Sequence, residues 1–179
     1  REELTGSPPL RLSFAQLDAA SDALAADLLA RGIGRDSRIM VQLPTIVDLV
    51  VTYYACSKLG AVVSPLPVQY GSHEISSLAA TLAPDAMVSL TRFRDQPLAE
   101  QAAAGLGGTP VLALERDLEI RALHAPDAAA AQALADHQQA HPTGANDIFT
   151  VCWTSGTTGT PKGVPRSHNM WLASGRMTA

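Results

Sequence analysis

Five hydroxyl side chains, three glycines and one lysine fall within residues 153–163, which read WTSGTTGTPKG. Glycine lets the backbone approach a ligand closely and adopt positive φ. Serine and threonine hydroxyls, with free backbone N–H groups, donate to anionic oxygens, and Lys162 adds a compact positive charge suited to phosphate. Only two of the thirteen basic residues are lysines, Lys58 and Lys162, so a chain that otherwise uses arginine places a lysine in its glycine-rich stretch. The pattern describes a cradle for an anion, most simply for the phosphates of a nucleotide.

The familiar phosphate loops do not fit. A Walker loop needs G-x-x-x-x-G-K-[ST], but Pro161 stands five residues after Gly156, Val164 stands five after Gly159, and Gly163 follows Lys162. The dinucleotide pattern G-x-G-x-x-G fails because Gly156, Gly159 and Gly163 are spaced by three and four. A nucleophile elbow would need glycine where Trp153 and Thr157 stand, so Ser155 reads as a hydrogen-bond donor and not a nucleophile. Asp147 to Trp153 is apolar, β-branched and aromatic, which predicts a strand leading into the loop. Pro161 and Pro165 prevent a helix from starting at the loop, and Ser167 is placed to N-cap one that begins near residue 168.

The run Thr154-Ser155-Gly156-Thr157-Thr158-Gly159-Thr160-Pro161-Lys162-Gly163-Val164, followed by Ser167-His168-Asn169, resembles the signature loop of the adenylate-forming (AMP-forming) synthetases. That superfamily includes acyl-CoA ligases, aryl-acid-activating enzymes and peptide-synthetase adenylation domains. The resemblance implies ATP-dependent activation of a carboxylic acid to an acyl-adenylate, with release of pyrophosphate and transfer to a thiol, first of all that of coenzyme A. It implies that Thr154, Ser155, Gly156, Thr157, Thr158 and Gly159 contact the ATP phosphates. Thr157 or Thr158 would approach the magnesium ion (Mg2+) carried by ATP, and Lys162 would act catalytically by neutralising the departing pyrophosphate. His168 matches a histidine that follows this loop in many members and is a further candidate for contact with bound ligand. Trp153 and Trp171 read as packing residues. A fatty or alicyclic acid is the first expectation for the substrate and an aryl acid the second; a non-catalytic nucleotide-binding module is the alternative of a different class.

Other segments extend the resemblance. Leu12 to Leu17 is similar to the opening motif of these enzymes, Lys58 to Leu66 to their helix-to-strand turn, and Gly34 to Pro44 more loosely to a Gly-Asp strand, since Arg35 separates the glycine from Asp36. Members are roughly three times longer, so the chain is expected to be an N-terminal fragment, inactive alone. Segments for adenine, ribose and the acidic magnesium ligand would lie beyond residue 179.

The whole chain sets bounds on function. A net charge of −4 and a pI near 5.7 give no basic surface for nucleic acid. Cys56 and Cys152 lack metal spacing and read as free thiols in a reducing compartment. No signal peptide or spanning segment is visible, which points to a cytoplasmic protein with small-molecule partners. His124, His137 and His141 lie in an alanine-rich stretch and read as solvated surface, not as metal ligands.

The elements that must position the loop alternate. Helices are predicted over 13–31, 46–59, 74–82, 97–104 and 128–140, with strands over 38–43, 61–64, 86–90, 110–114 and 147–153. Ser13 and Gln16 are spaced as a capping box, Gly32 and Gly60 as helix stops, and Phe14, Leu17, Leu24 and Leu28 share one helical face. Lys58 suits the dipole at its helix C-terminus. The order predicts an α/β fold, a mostly parallel sheet flanked by helices, and the resemblance implies that it is an incomplete N-terminal domain. Three units are expected: a first α/β subdomain over 1–114, an alanine-rich linker or surface helix over 115–146, and the strand, phosphate loop and helix start over 147–179.

Overall fold

The computed structural model describes residues 11–114, 125–154 and 161–178. Its elements run α1 (Phe14–Ala30), β1 (Arg38–Gln42), α2 (Val47–Leu59), β2 (Val62–Pro65), α3 (Ser72–Leu82) and β3 (Ala86–Leu90). They continue as α4 (Leu98–Leu106), β4 (Val111–Leu114), α5 (Ala128–Ala140), β5 (Ile148–Thr154), β6 (Lys162–Ser167) and α6 (His168–Thr178).

Local chemistry sets the helix ends. The Gln16 N–H donates to Ser13 Oγ at 3.2 Å, and the Ser13 N–H donates to Gln16 Oε1 at 2.9 Å, closing the capping box. Gly60 takes φ 68°, the left-handed value that ends α2 without a Cβ penalty. The inner face of α1 is Ala20, Leu24, Ala25 and Leu28; Phe14, expected on that face, is instead 90% exposed because it sits in the first turn, beyond the edge of the core.

The six strands form one sheet in the order β4-β3-β1-β2-β5-β6, parallel except for the β5–β6 pair. Side chains alternate between its two faces. Ile39, Val41, Val63 and Val88 enter one core with α1, α2 and α5, whereas Met40 and Met87 enter a second with α3 and α4. The chain moves from β1 to β2 in one direction, then passes back over β1 to reach β3. The helices change face as the direction changes, as crossovers of one constant hand require. This reversal makes a switch point at the carboxyl ends of β1 and β3, where open α/β sheets form their ligand crevices.

The alanine-rich stretch is tied down more firmly than its composition suggests. Asp127 caps α5 by accepting the Ala130 N–H at 2.8 Å, and Leu134, only 4% exposed, plugs into the first core. His137 departs from the expected solvated surface: it is half-buried, and its Nε2 lies 3.0 Å from the Leu59 carbonyl. That carbonyl is one of the orphan acceptors at the end of α2, so Nε2 carries the proton and donates. Gln138 donates to the Lys58 carbonyl at 3.4 Å and Thr143 to that of Ser57 at 3.3 Å, capping the same helix end. His141 is exposed and His124 lies outside the described residues. No group of three or more metal-ligating side chains lies together among the described residues. Among them, no helix is long and apolar enough to cross a membrane. Lys58 goes beyond a dipole contact, its Nζ lying 2.6 Å from carboxylate oxygens of both Asp18 and Asp22 on α1.

Candidate functional site

The strand expected to lead into the glycine-rich stretch is β5, and it does not lead into a helix. It pairs antiparallel with β6, with Thr154 opposite Lys162 and Trp153 opposite Gly163. The stretch is therefore the connection of a hairpin. Sequence reading missed β6, because glycine and two prolines lower strand propensity over 161–165. Pro165 is tolerated because β6 is the sheet's edge strand. Ser155, Gly156, Thr157, Thr158 and Gly159 lie outside the described residues; the structure places the hairpin's two ends.

At those ends stand Thr154 and Lys162, both exposed. The Thr154 hydroxyl donates to the Lys162 carbonyl at 3.4 Å, closing the mouth of the loop. Lys162 has no ion-pair partner among the described residues, and so its ammonium is available to an anion. Because β5 runs parallel to β2, this mouth lies at the carboxyl edge of the sheet, on the side of the switch point.

A cleft of ≈ 600 Å³ opens at the same edge. Its lining comes from the ends of β1 (Val41, Leu43), of β2 (Pro65, Leu66) and of β5 (Cys152, Trp153), with Phe93 and Arg94 at the β3 end. The volume and mixed lining suit an organic ligand. Buried Gln42 shapes one wall: its Nε2 donates to the carbonyls of Tyr70 at 2.7 Å and Pro67 at 3.2 Å, holding the turn after β2. Arg94 takes φ 52°, a left-handed value unusual for a residue with a long side chain. No sequence motif pointed to Gln42 or Arg94; both became visible only through the strand ends that gather there.

His168 opens α6 and stacks on Phe149, with ring centroids 4.5 Å apart and planes at 14°. Burial holds its pKa below the ordinary imidazole value despite the opposing pull of Asp147, so the ring is neutral near pH 7. It sits at the base of the hairpin, since Ile148 pairs with Ser167, and the loop mouth is at the other end. The helix starts where Ser167 suggests, with the Met170 N–H 3.4 Å from Ser167 Oγ. Trp153 packs against the second core and donates to Ser64 Oγ at 2.8 Å; Trp171, 41% exposed, donates to Thr150 Oγ1 at 2.8 Å.

The base is clamped electrostatically. Asp147 Oδ2 accepts the Gly144 N–H at 2.8 Å and the Arg35 guanidinium at 2.9 Å, and these contacts, in that order, hold its carboxyl below the usual carboxylate range. Arg35, the residue that interrupts the Gly-Asp pattern, also donates to the Pro142 carbonyl at 3.0 Å. Asn169 joins α6 to the same turn: its side-chain amide donates to Asn146 Oδ1 at 2.8 Å and its backbone N–H to the Ala145 carbonyl at 2.9 Å.

Comparison with known proteins agrees with this geometry. The family model described as AMP-binding enzyme matches residues 2–178. The chain is 34% identical over 169 residues to 4-coumarate–CoA ligase 5 of Oryza sativa subsp. japonica, covering 92% of this chain and 29% of that protein. It is 30% identical over 167 residues to the medium-chain fatty-acid–CoA ligase of Escherichia coli (strain K12), covering 92% of this chain and 30% of that one. Among solved structures, ATP-bound MatB from Rhodopseudomonas palustris superposes with a TM-score of 0.68 at 32% identity, over 93% of this chain and 31% of that chain. The chain thus spans about 30% of the length of these relatives. With a matching family model over nearly all its residues and a glycine-threonine hairpin at the carboxyl edge of a parallel sheet, the chain belongs to the AMP-binding enzyme family.

Proposed function

We propose that the parent protein is an AMP-forming acid–thiol ligase that activates a fatty or alicyclic carboxylic acid and passes it to coenzyme A. A carboxylate oxygen attacks the α-phosphorus of ATP, the bond from that phosphorus to the bridging oxygen breaks, and pyrophosphate leaves. Thr154, Ser155, Gly156, Thr157, Thr158 and Gly159 supply hydroxyl and backbone N–H donors to the phosphates. Thr157 or Thr158 would approach the magnesium ion carried by ATP, which would spread the phosphate charge. Lys162 stabilises the charge gathering on pyrophosphate, a role worth about 3 kcal/mol for one preorganised donor. The coenzyme A thiol, losing its proton, then attacks the acyl carbon; the carbon–sulfur bond forms as the bond from that carbon to the phosphate oxygen breaks, and AMP leaves. His168 is a further candidate for contact with bound ligand; it stacks on Phe149 at the hairpin base, at the end away from the loop mouth.

The observation that supports this most is Lys162, exposed and without an ion-pair partner among the described residues, opposite Thr154 at the mouth of the loop and on the same sheet edge as the 600 Å³ cleft. An aryl acid is the second reading. It is favoured by two relatives, the 4-coumarate–CoA ligase and, at 33% identity, a 2-hydroxy-7-methoxy-5-methyl-1-naphthoate–CoA ligase of Streptomyces carzinostaticus. The free thiols Cys56 and Cys152 suit a cytoplasmic setting.

Carboxylate-dependent ATP–pyrophosphate exchange by the full-length protein tests the proposal. Exchange with octanoate or cyclohexanecarboxylate supports the first reading, and exchange only with hydroxycinnamate or benzoate the second. ATP binding without exchange for any acid would make the protein a non-catalytic nucleotide-binding module. Residues 1–179 alone are expected to give no exchange.

A further inference from the structure

The backbone ladder of β5 on the parallel sheet is short, although the strand lies alongside β2. It shares one register pair with β2, Val63 with Thr150, whereas β1 shares four with β3. Beyond Thr150, the half of β5 that runs to the loop is laddered to β6 only. Val151 and Trp153 pack that half against the second core, and among the described residues one side-chain hydrogen bond ties it to β2. The Trp153 indole Nε1 donates to Ser64 Oγ on β2 at 2.8 Å, and Ser64 is fully buried. The same ring lies against the outgoing leg. A Cβ on Gly163 would come 3.4 Å from Trp153 Cζ3 and 2.8 Å from Val151 Cγ1, so the ring rests on bare backbone. Gly163 takes no left-handed backbone angle, and so its missing side chain is explained by this close approach.

We propose that Trp153, bonded to Ser64 and seated on Gly163, is the pivot that sets where the Thr154 and Lys162 ends of the phosphate loop stand over the sheet edge. These are positioning residues and touch no reacting atom. A displaced ladder end would carry Lys162 away from the phosphates, and catalysis is steep in such displacements. The kinetic part of this inference rests on the ATP-dependent reading above; the mechanical part does not.

Ser64→Ala, Trp153→Phe and their combination in the full-length protein give the test, with two readouts. In ATP–pyrophosphate exchange, each single variant is expected to lower kcat/KM for ATP by about tenfold, the loss of one buried hydrogen bond, with the KM for the acid unchanged. The double variant is expected to be no worse than the more impaired single, because both changes break one bond. In amide hydrogen exchange, faster exchange is expected across residues 151–163, with β1 and β3 keeping their protection. Additive losses, wild-type kinetics for ATP, or exchange that quickens evenly through the sheet would overturn the pivot. Should the wild-type protein show no ATP chemistry, the functional reading falls and amide exchange alone decides: acceleration confined to 151–163 upholds the pivot, and unchanged protection refutes it. If Trp153→Phe fails to fold, Ser64→Ala alone carries the decision by the same criteria.

Discussion

The β3-β1-β2 centre of the sheet and the β5–β6 hairpin at its edge are built on different principles. The centre is fastened by four-residue parallel registers on both sides of β1 and buried on both faces, with Ile39, Met40, Val63, Met87 and Val88 all inaccessible. Its stability is spread over many apolar contacts, none of them unique. The hairpin has one register pair to the sheet, a partly exposed ladder and a helix, α6, that contributes no buried residue. Its place depends on a few polar side chains at identifiable points: Trp153 to Ser64 towards the loop, and Arg35 to Asp147 at the base. An element held this way can open locally at low cost while the centre stays folded, which is what the proposed admission and release of a nucleotide would require.

Substitutions should separate the two regimes. The largest loss of stability belongs to the centre: Ile39→Ala is expected to cost about 2–5 kcal/mol, read as a lower urea midpoint, by leaving a cavity between packed helices. In the hairpin, Gly163→Ala is expected to cost about 1–3 kcal/mol through overlap with Val151. Adding Val151→Ala should recover part of that loss, and full additivity would mean the overlap is not the cause. At the base the effect is one of pH. Asp147 has a folded pKa below its unfolded value, so its contribution is present above the ordinary carboxylate pKa and is lost as pH falls through the lower folded value. Asp147→Asn should therefore lower stability at neutral pH and flatten the profile on the acid side, below about pH 4. The smallest change is a gain. Ala83 ends α3 in a left-handed conformation, φ 49° and ψ 66°, so Ala83→Gly is expected to stabilise by up to about 1 kcal/mol, read by thermal unfolding. A loss there would show that relief of left-handed strain does not govern this helix end.

The same contrast explains what could be read from the amino acids. The centre was legible because its signals are local: an alternating apolar pattern for β1, a short apolar segment for β3, a capping box at Ser13, left-handed glycines at Gly32 and Gly60. β6 was not, because Gly163 and Pro165 argue against a strand until β5 is known to lie beside them. Nor could His137 be distinguished from surface histidine, since its partner, the Leu59 carbonyl, is 78 residues away. Asp36 was another surprise. It takes φ 63° in the turn before β1, a conformation that asparagine, aspartate and glycine tolerate and that sequence spacing does not announce. At the site, the loop motif was legible as an ordered string, whereas the cleft was not. Strand ends from four parts of the chain compose it, and its tether, Gln42, reads in sequence as one polar residue at the end of a strand.

The most direct test of the account is ATP–pyrophosphate exchange by the full-length protein and its Lys162→Ala variant, alongside their unfolding curves. Lys162 is exposed, so stability should be unchanged to within about 0.5 kcal/mol. Exchange should fall by about 100- to 1,000-fold, as when one preorganised donor to developing charge is removed. Exchange at the wild-type rate in the folded variant would contradict the claim that this hairpin holds the phosphates of ATP.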